Sequence, residues 1–384
     1  MRRTMSCLAL IVGALAAGPA LAHVKWFAPF IVGAAPRPVG MTLADPWFWA
    51  ALGLVAVLFA ATLVIEATAA GEMALAALDR LTGFLWDRAD DLVRVAVGTF
   101  FVATFAVGGV YLTPDLATPA EWVSWFQLLI AAGLFWRATM PLSGLGILAL
   151  WAFALSEYEF FHLLDYLALG IGEAGYLVFF ALPDRIWRER RFAALTWGVA
   201  VALMWSSLEK FAYPEWFHPL VLEKPFLTFG LPRDVFIPMA GVAEFTLGFG
   251  LLWTPLVRRL SAIALLGIFL SAVWPFGRTD MLGHALIMSA ILICAVMPGR
   301  GSGWAVSPWR RAAVMPAALA GAMAAFIGAY WGAHLAIYGA EGAPGAGLSP
   351  KSTHAPDAEH PHDDAPAGGG DPAPTGDEPT PPPP

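Results

Sequence analysis

Residues 47–67 read WFWAALGLVAVLFAATLVIEA, twenty-one positions whose single ionisable side chain, Glu66, comes near the end. At 1.5 Å per residue a helix of this length covers about 30 Å, the hydrocarbon thickness of a bilayer. The rest of the chain agrees with that reading. Of 384 residues, 58% are hydrophobic and 13% charged, and the mean hydropathy is +0.66. Soluble proteins carry roughly a quarter charged residues, so a soluble globular enzyme is excluded. Twenty-two Lys and Arg against 29 Asp and Glu leave no basic surplus for nucleic acid. The expected partner is the lipid bilayer.

Residues 1–22 carry Arg2 and Arg3, an apolar stretch and the ending Ala20-Leu21-Ala22, the pattern of a secretory signal peptide whose removal exposes His23. Counting outward from residues 47–67, further apolar segments lie at about 92–112, 120–137, 141–159, 163–182, 192–211, 234–254, 259–275, 281–298 and 312–338, ten in all. The expected fold is all-α, a polytopic transmembrane bundle of about ten spans. Threading from an external His23 places thirteen Arg in the inner connections, among them Arg80, Arg137, Arg191, Arg258 and Arg259, and six bases in the outer ones before the tail. Basic residues in short loops stay on the cytoplasmic side. The sequence thus points to a bacterial inner membrane with the mature N-terminus and the C-terminal tail in the periplasm. Residues 339–384 hold eight acids, one Lys and 12 of the 31 prolines, and are expected to be disordered. Cys7 and Cys294 are the only cysteines, too few for an iron-sulfur or thiolate zinc site.

Two stretches repeat. Residues 125–136 (WFQLLIAAGLFW) match 242–253 (VAEFTLGFGLLW), and 165–183 (DYLALGIGEAGYLVFFALP) match 280–298 (DMLGHALIMSAILICAVMP), at offsets of 117 and 115. Two parallel four-helix units follow, at 92–190 and 191–298. They are preceded by an N-terminal segment and first helix (23–91) and followed by a last helix (299–338). In this alignment Glu244 stands opposite Gln127, and Glu209-Lys210 has no charged equivalent. The first unit reads as scaffold and the second as the carrier of more of the chemistry.

The second unit also shows residues 206–213 (SSLEKFAY), 241–253 (GVAEFTLGFGLLW), the pair Arg258-Arg259 and 280–284 (DMLGH). In these it resembles the DoxX/DoxD family of small four-helix membrane proteins, which have a Lys closing the first helix and a Glu in a Gly-rich second helix. The resemblance covers residues 192–298 well and 92–183 loosely. It implies a subunit of a membrane-bound oxidoreductase, with DoxD-type members linked to thiosulfate oxidation and quinone reduction. The leader, the extra terminal helices, the doubling and the His-bearing tail depart from the family pattern.

Ionisable residues inside spans are costly and mark function or helix pairing. Glu66, Glu173 and Glu244 are such residues, with Glu66 close enough to an inner end to snorkel. At the outer ends cluster Glu157, Glu159, His162 and Asp165 on one side and Arg278, Asp280 and His284 on the other, where a carboxylate can fix an imidazole for metal ligation or proton transfer. Glu209, Lys210, Glu244, Asp280 and His284 are the expected catalytic group. Glu159, His162 and Asp165, with His218 and Arg278, are the expected cofactor-binding counterpart. Residues 211–233, rich in Pro and aromatics around His218, read as a lid on the membrane surface. All eight histidines fall toward the outer side, and His23, His162, His284 and His334 are the candidate ligands if copper or zinc is bound. No helix-borne bis-His pair for haem and no Gly-rich dinucleotide fingerprint is present.

Three functions fit these residues: an electron-transfer or quinone-associated oxidoreductase subunit with a periplasmic or membrane redox partner, a periplasmic copper or zinc binding or transfer protein, and a small-solute transporter. Removal of residues 349–384 separates the first two. Metal uptake by the purified protein, read by elemental analysis, falls if the tail histidines handle metal, and a quinone-linked activity is unchanged.

Overall fold

The computed structural model describes residues 31–299 and 308–343, and within these the secondary structure is helical with no strand. The helices are α1 (Val39–Ala44), α2 (Pro46–Glu66), α3 (Ala69–Trp86), α4 (Ala89–Val107), α5 (Glu121–Gly133), α6 (Met140–Ala154), α7 (Phe160–Phe180), α8 (Asp184–Ser206), α9 (Glu209–Ala212), α10 (His218–Glu223), α11 (Arg233–Gly250), α12 (Pro255–Val296) and α13 (Pro308–Tyr338). The leader with His23, and the tail beyond residue 343, lie outside the described residues.

α12 is two helices, not one. Gly277 sits at φ 71° and ψ −149°, a conformation open to glycine and costly for residues with a Cβ. The Phe269 and His284 rings, fifteen residues apart, have centroids 4.7 Å from each other. In a continuous helix that separation is about 22 Å, so the chain doubles back at Gly277, as the sequence division at 275–281 expects.

The long helices run alternately between two ends of the bundle. At one end Arg94 donates to Leu134 O, Arg258 to Met297 O, and Arg259 pairs with Asp79 at 2.7 Å. Arg191 pairs there with Asp90 and Asp184. The Arg191 guanidinium, joined by Arg137, holds the Asp184 carboxyl below the usual carboxylate range. Glu66 accepts from Thr254 Oγ1 and Leu256 N, placing a carboxylate at the N-terminus of α12 rather than leaving it to snorkel. At the other end Tyr111 donates to Glu157, Tyr213 to Ala34 O and Trp331 to Arg37 O. Arg94, Arg191, Arg258 and Arg259 thus gather at one end, away from Arg37.

Among the described residues, four helices are long and apolar enough to cross a membrane: Pro46–Glu66, Phe160–Phe180, Ile186–Ala212 and Ala313–Tyr338. The exterior is apolar in the same way, with Leu54, Val57, Leu58, Leu129, Leu142 and Leu145 all more than half exposed. Arg191 and Arg259, by contrast, are among the largest fully buried side chains. Two elements differ from the sequence reading. α5 stops at Gly133, because the chain turns through Leu134 to Thr139, where the Thr139 hydroxyl donates back to Gly133 O. Residues 69–86, expected as an inner connection, form the amphipathic helix α3, which is held by Asp79 and Thr82 against Arg259.

α7 and α8 pack most closely. A Cβ built on Gly172 falls 2.7 Å from Gly198 Cα, and one on Gly198 falls 2.6 Å from Gly172 Cα. Ala168 and Ala194, each four residues before one of these glycines, complete a small-xxx-small contact on both helices. Gly198→Leu forces the two backbones apart and is expected to destabilise by about 3 kcal/mol or more. Gly328→Leu, where nothing lies within 4 Å of the added Cβ, is expected to stay within about 0.5 kcal/mol of the parent. Thermal unfolding in detergent, followed by circular dichroism, measures both.

Candidate functional site

Six of the residues singled out in the sequence meet at one cavity. Asp165 from α7, Glu209 and Lys210 from α9, Glu244 from α11 and His284 from α12 all line it, together with Glu173 of α7. The cavity measures about 90 Å³, and most of the rest of its wall is apolar, from Phe100 and Phe101 on α4, Ile147 and Trp151 on α6, and Leu203 on α8, with the hydroxyl-bearing Thr113, Tyr166 and Ser206 among them. A space of that size holds several waters or one small ring. It lies between the helices of the first predicted unit and those of the second.

The centre of the polar wall is an ion pair. Lys210 Nζ donates to Glu244 Oε2 at 2.5 Å, with the two side chains 6% and 9% exposed. The sequence permits this because Gly241 has no side chain. A Cβ there meets the Phe211 ring at 2.9 Å and Lys210 Cβ at 3.0 Å, so α9 can lie directly on α11. The ammonium also lies over the Phe217 ring, 4.9 Å from its centroid. Gln127, which the sequence alignment sets opposite Glu244, donates its amide to Val110 O and Tyr111 O at 2.7 Å each.

Glu173 stands deeper. Its side chain is 1% exposed, and neither carboxyl oxygen has a hydrogen-bond partner in the protein. Across the cavity His284 Nδ1 lies 3.0 Å from Asp280 Oδ1, four residues back on the same helix, and the ring packs on Phe269. Asp280 is fully buried and thus fixes the imidazole from behind.

Glu159 and His162 belong to a second network beside the cavity, built around a residue the sequence did not flag. Asp115 Oδ2 lies 3.2 Å from His162 Nε2 and accepts from the Tyr166 hydroxyl at 2.6 Å, and Thr113 donates to Oδ1. Glu159 Oε1 stands 3.5 Å from His162 Nδ1. Tyr158 holds the loop of Asp115 by donating to Ala117 O at 2.7 Å. In the sequence Asp115 reads as the turn residue of a Thr-Pro-Asp step, and only the long-range contact with α7 reveals its burial.

The remaining candidates are elsewhere. His218 lines a separate, polar cavity of about 320 Å³ with Arg37, Asp45, Glu215, Asp234 and Lys210. His334 packs in the aromatic cluster of Phe161 and Tyr338 and hydrogen-bonds to the Ala34 backbone. The Arg278 side chain, like His23, lies outside the described residues. His162, His284 and His334 are not drawn into one centre. Among the described residues no group of three or more His, Cys, Asp or Glu side chains is placed to hold a metal ion.

The class defined by fold and site is an all-helical protein with membrane-length apolar helices and a largely apolar cavity that carries a buried ion pair. In comparisons with known proteins, no family model matches the chain, and no curated protein and no solved structure matches it either.

Lys210→Met strands the Glu244 carboxylate and is expected to cost about 3–5 kcal/mol, whereas the double change Lys210→Met with Glu244→Leu removes both charges and recovers most of that loss. Thermal unfolding of the three proteins in one detergent tests the pair.

Proposed function

We propose that this chain is a membrane oxidoreductase subunit of DoxX-like architecture that binds a quinone-type head group in the cavity. The observation carrying the proposal is the convergence of Asp165, Glu173, Glu209, Lys210, Glu244 and His284 on one largely apolar space. Ligand sites are mostly apolar walls with a few polar groups that fix orientation. A quinone ring has apolar faces and two carbonyl or hydroxyl oxygens, so it matches a wall that offers an ammonium, an imidazole and carboxyl groups at separate points.

The duplicated, ten-span arrangement belongs to the same proposal. Supporting it, a Cβ on Gly133 meets Ser143 Oγ at 2.2 Å, and one on Gly250 meets Ser261 Oγ at 2.2 Å, offsets of 117 and 118 in sequence. Arg137 and Arg258 each donate to a carbonyl at the close of the fourth helix of their unit, Leu182 O and Met297 O. With the arginine-rich end in the cytoplasm, the chain sits in a bacterial inner membrane, and the Lys210 and Glu159 end faces the periplasm, where a redox partner docks. The cavity then lies at the interface between the repeats, a common place for membrane ligand sites.

Quinone binding is tested with decylubiquinone and detergent-purified protein, by quenching of tryptophan fluorescence. Saturable quenching is expected, and Glu173→Leu, which breaks no hydrogen bond, weakens it about tenfold, equivalent to about 1.4 kcal/mol. Absence of saturable quenching, or an unchanged affinity in Glu173→Leu, overturns the assignment.

A further inference from the structure

The cavity reaches the network around His162. Thr113 and Tyr166 line the cavity wall, and both hydroxyls are bonded to Asp115. From Asp115 the contacts continue through His162 to Glu159, the residue that precedes the first turn of α7 at the end of the bundle carrying Lys210. Every member from Asp115 to Glu159 is less than a tenth exposed. A structural network needs burial and satisfied groups. This one also alternates acid, imidazole and phenol in a single file that opens onto a ligand-sized space at one end.

We propose that Tyr166, Asp115, His162 and Glu159 form a proton-exchange chain between a hydroxyl group of a ligand in the cavity and the end of the bundle. The proposal rests on the reading of the cavity as a quinone-type site. The groups facing the imidazole are the carboxylates of Asp115 and Glu159 and the rings of Tyr158 and Tyr166.

The transfers balance. As the ligand O–H bond breaks, a new Tyr166 O–H bond forms and the former Tyr166 proton passes to Asp115 Oδ2. Asp115 then protonates His162 Nε2, and His162 gives up its Nδ1 proton to Glu159 Oε1. One proton enters at Tyr166, Glu159 releases one to solvent at the end of the bundle, and no electron moves along the chain. A flip of the imidazole brings its bare nitrogen back to Asp115. The 3.5 Å step from His162 to Glu159 is the longest, and a small rotation of the Glu159 carboxyl, or one bridging water, closes it.

The experiment uses 2-hydroxy-1,4-naphthoquinone, whose visible absorption changes when its hydroxyl loses a proton. The probe is bound to the full-length, detergent-purified protein, the pH is jumped by stopped flow, and the rate of the colour change of the bound fraction is recorded. Tyr166→Phe, Asp115→Asn and His162→Gln are each expected to slow that rate at least tenfold, the last two with Kd altered no more than about twofold. Imidazole added to His162→Gly is expected to restore it, which a purely structural role does not predict. Equal rates in the parent and all three variants, with binding intact, overturn the chain and leave the cavity assignment standing. Failure of the parent to bind the probe overturns the cavity assignment and the chain with it.

Discussion

The contact of Gly172 with Gly198 is the constraint on which the arrangement turns. Hydrophobic burial contributes little between helices whose alternative surroundings are lipid, so association rests on close packing and polar pairing. Two backbones in direct contact, with no Cβ between them, fix α7 on α8. α7 ends the first half of the bundle and α8 begins the second, so this crossing sets one half against the other. It also places Glu173, next in sequence to Gly172, and Asp165, two turns earlier, on the wall shared with Glu209, Lys210 and Glu244. A wider crossing separates the walls of the cavity before it alters any individual helix.

Charge is distributed in the opposite way from a soluble protein. The exterior exposes Leu, Val and Phe, while Arg191, Arg259, Lys210 and Asp280 are buried. At the arginine-rich end the buried cations are spent on structure. Arg259 bonds Asp79 and Val296 O, the last carbonyl of α12, and Arg258 takes Met297 O and Pro298 O just beyond it. At the opposite end the buried charges are not used up in closing helices. Lys210 faces both the apolar cavity and the polar one that contains His218. The pair with Glu244 thus stands between the two cavities. Such a pair is weak evidence for stability, because desolvation offsets much of its attraction. Its position at a cavity wall is better explained by use.

Much of this was legible from residue patterns, and the failures have physical causes. Apolar length alone marked residues 47–67 and 163–182, because lipid imposes a single requirement on a spanning helix. Lys210, Glu244, Asp165 and His284 were found for the same reason, since a charge in an apolar run stands out. Asp115 was missed because a Pro-Asp step is ordinary turn chemistry, and its burial depends on Tyr166 and His162 some fifty residues later. α3 was missed because its apolar face and its charged residues average to a modest hydropathy. The end of α5 was misplaced because Leu134, Phe135 and Trp136 continue the apolar run after the backbone has turned. The sequence reading put the histidines on one side, but shared sidedness does not bring ligands to one point. His334 ended in an aromatic cluster and His218 in a separate cavity.

In the proposed duplication Gln127 and Glu244 are counterparts. Both side chains reach back to the outer end of the first helix of their unit. Gln127 meets two backbone carbonyls with its amide, which closes a loop and leaves no charge. Glu244 meets the Lys210 ammonium. A neutral tether satisfies the backbone at little desolvation cost, whereas an ion pair in the same place needs a compensating role. The first half instead keeps its ionisable groups one layer further out, in the Asp115, His162 and Glu159 network. The cavity between the halves therefore has a fixed charge pair on one side and a chain of exchangeable protons on the other. A symmetric pair of units offers two copies of one environment, and only divergence gives a ligand with two oxygens a different partner for each.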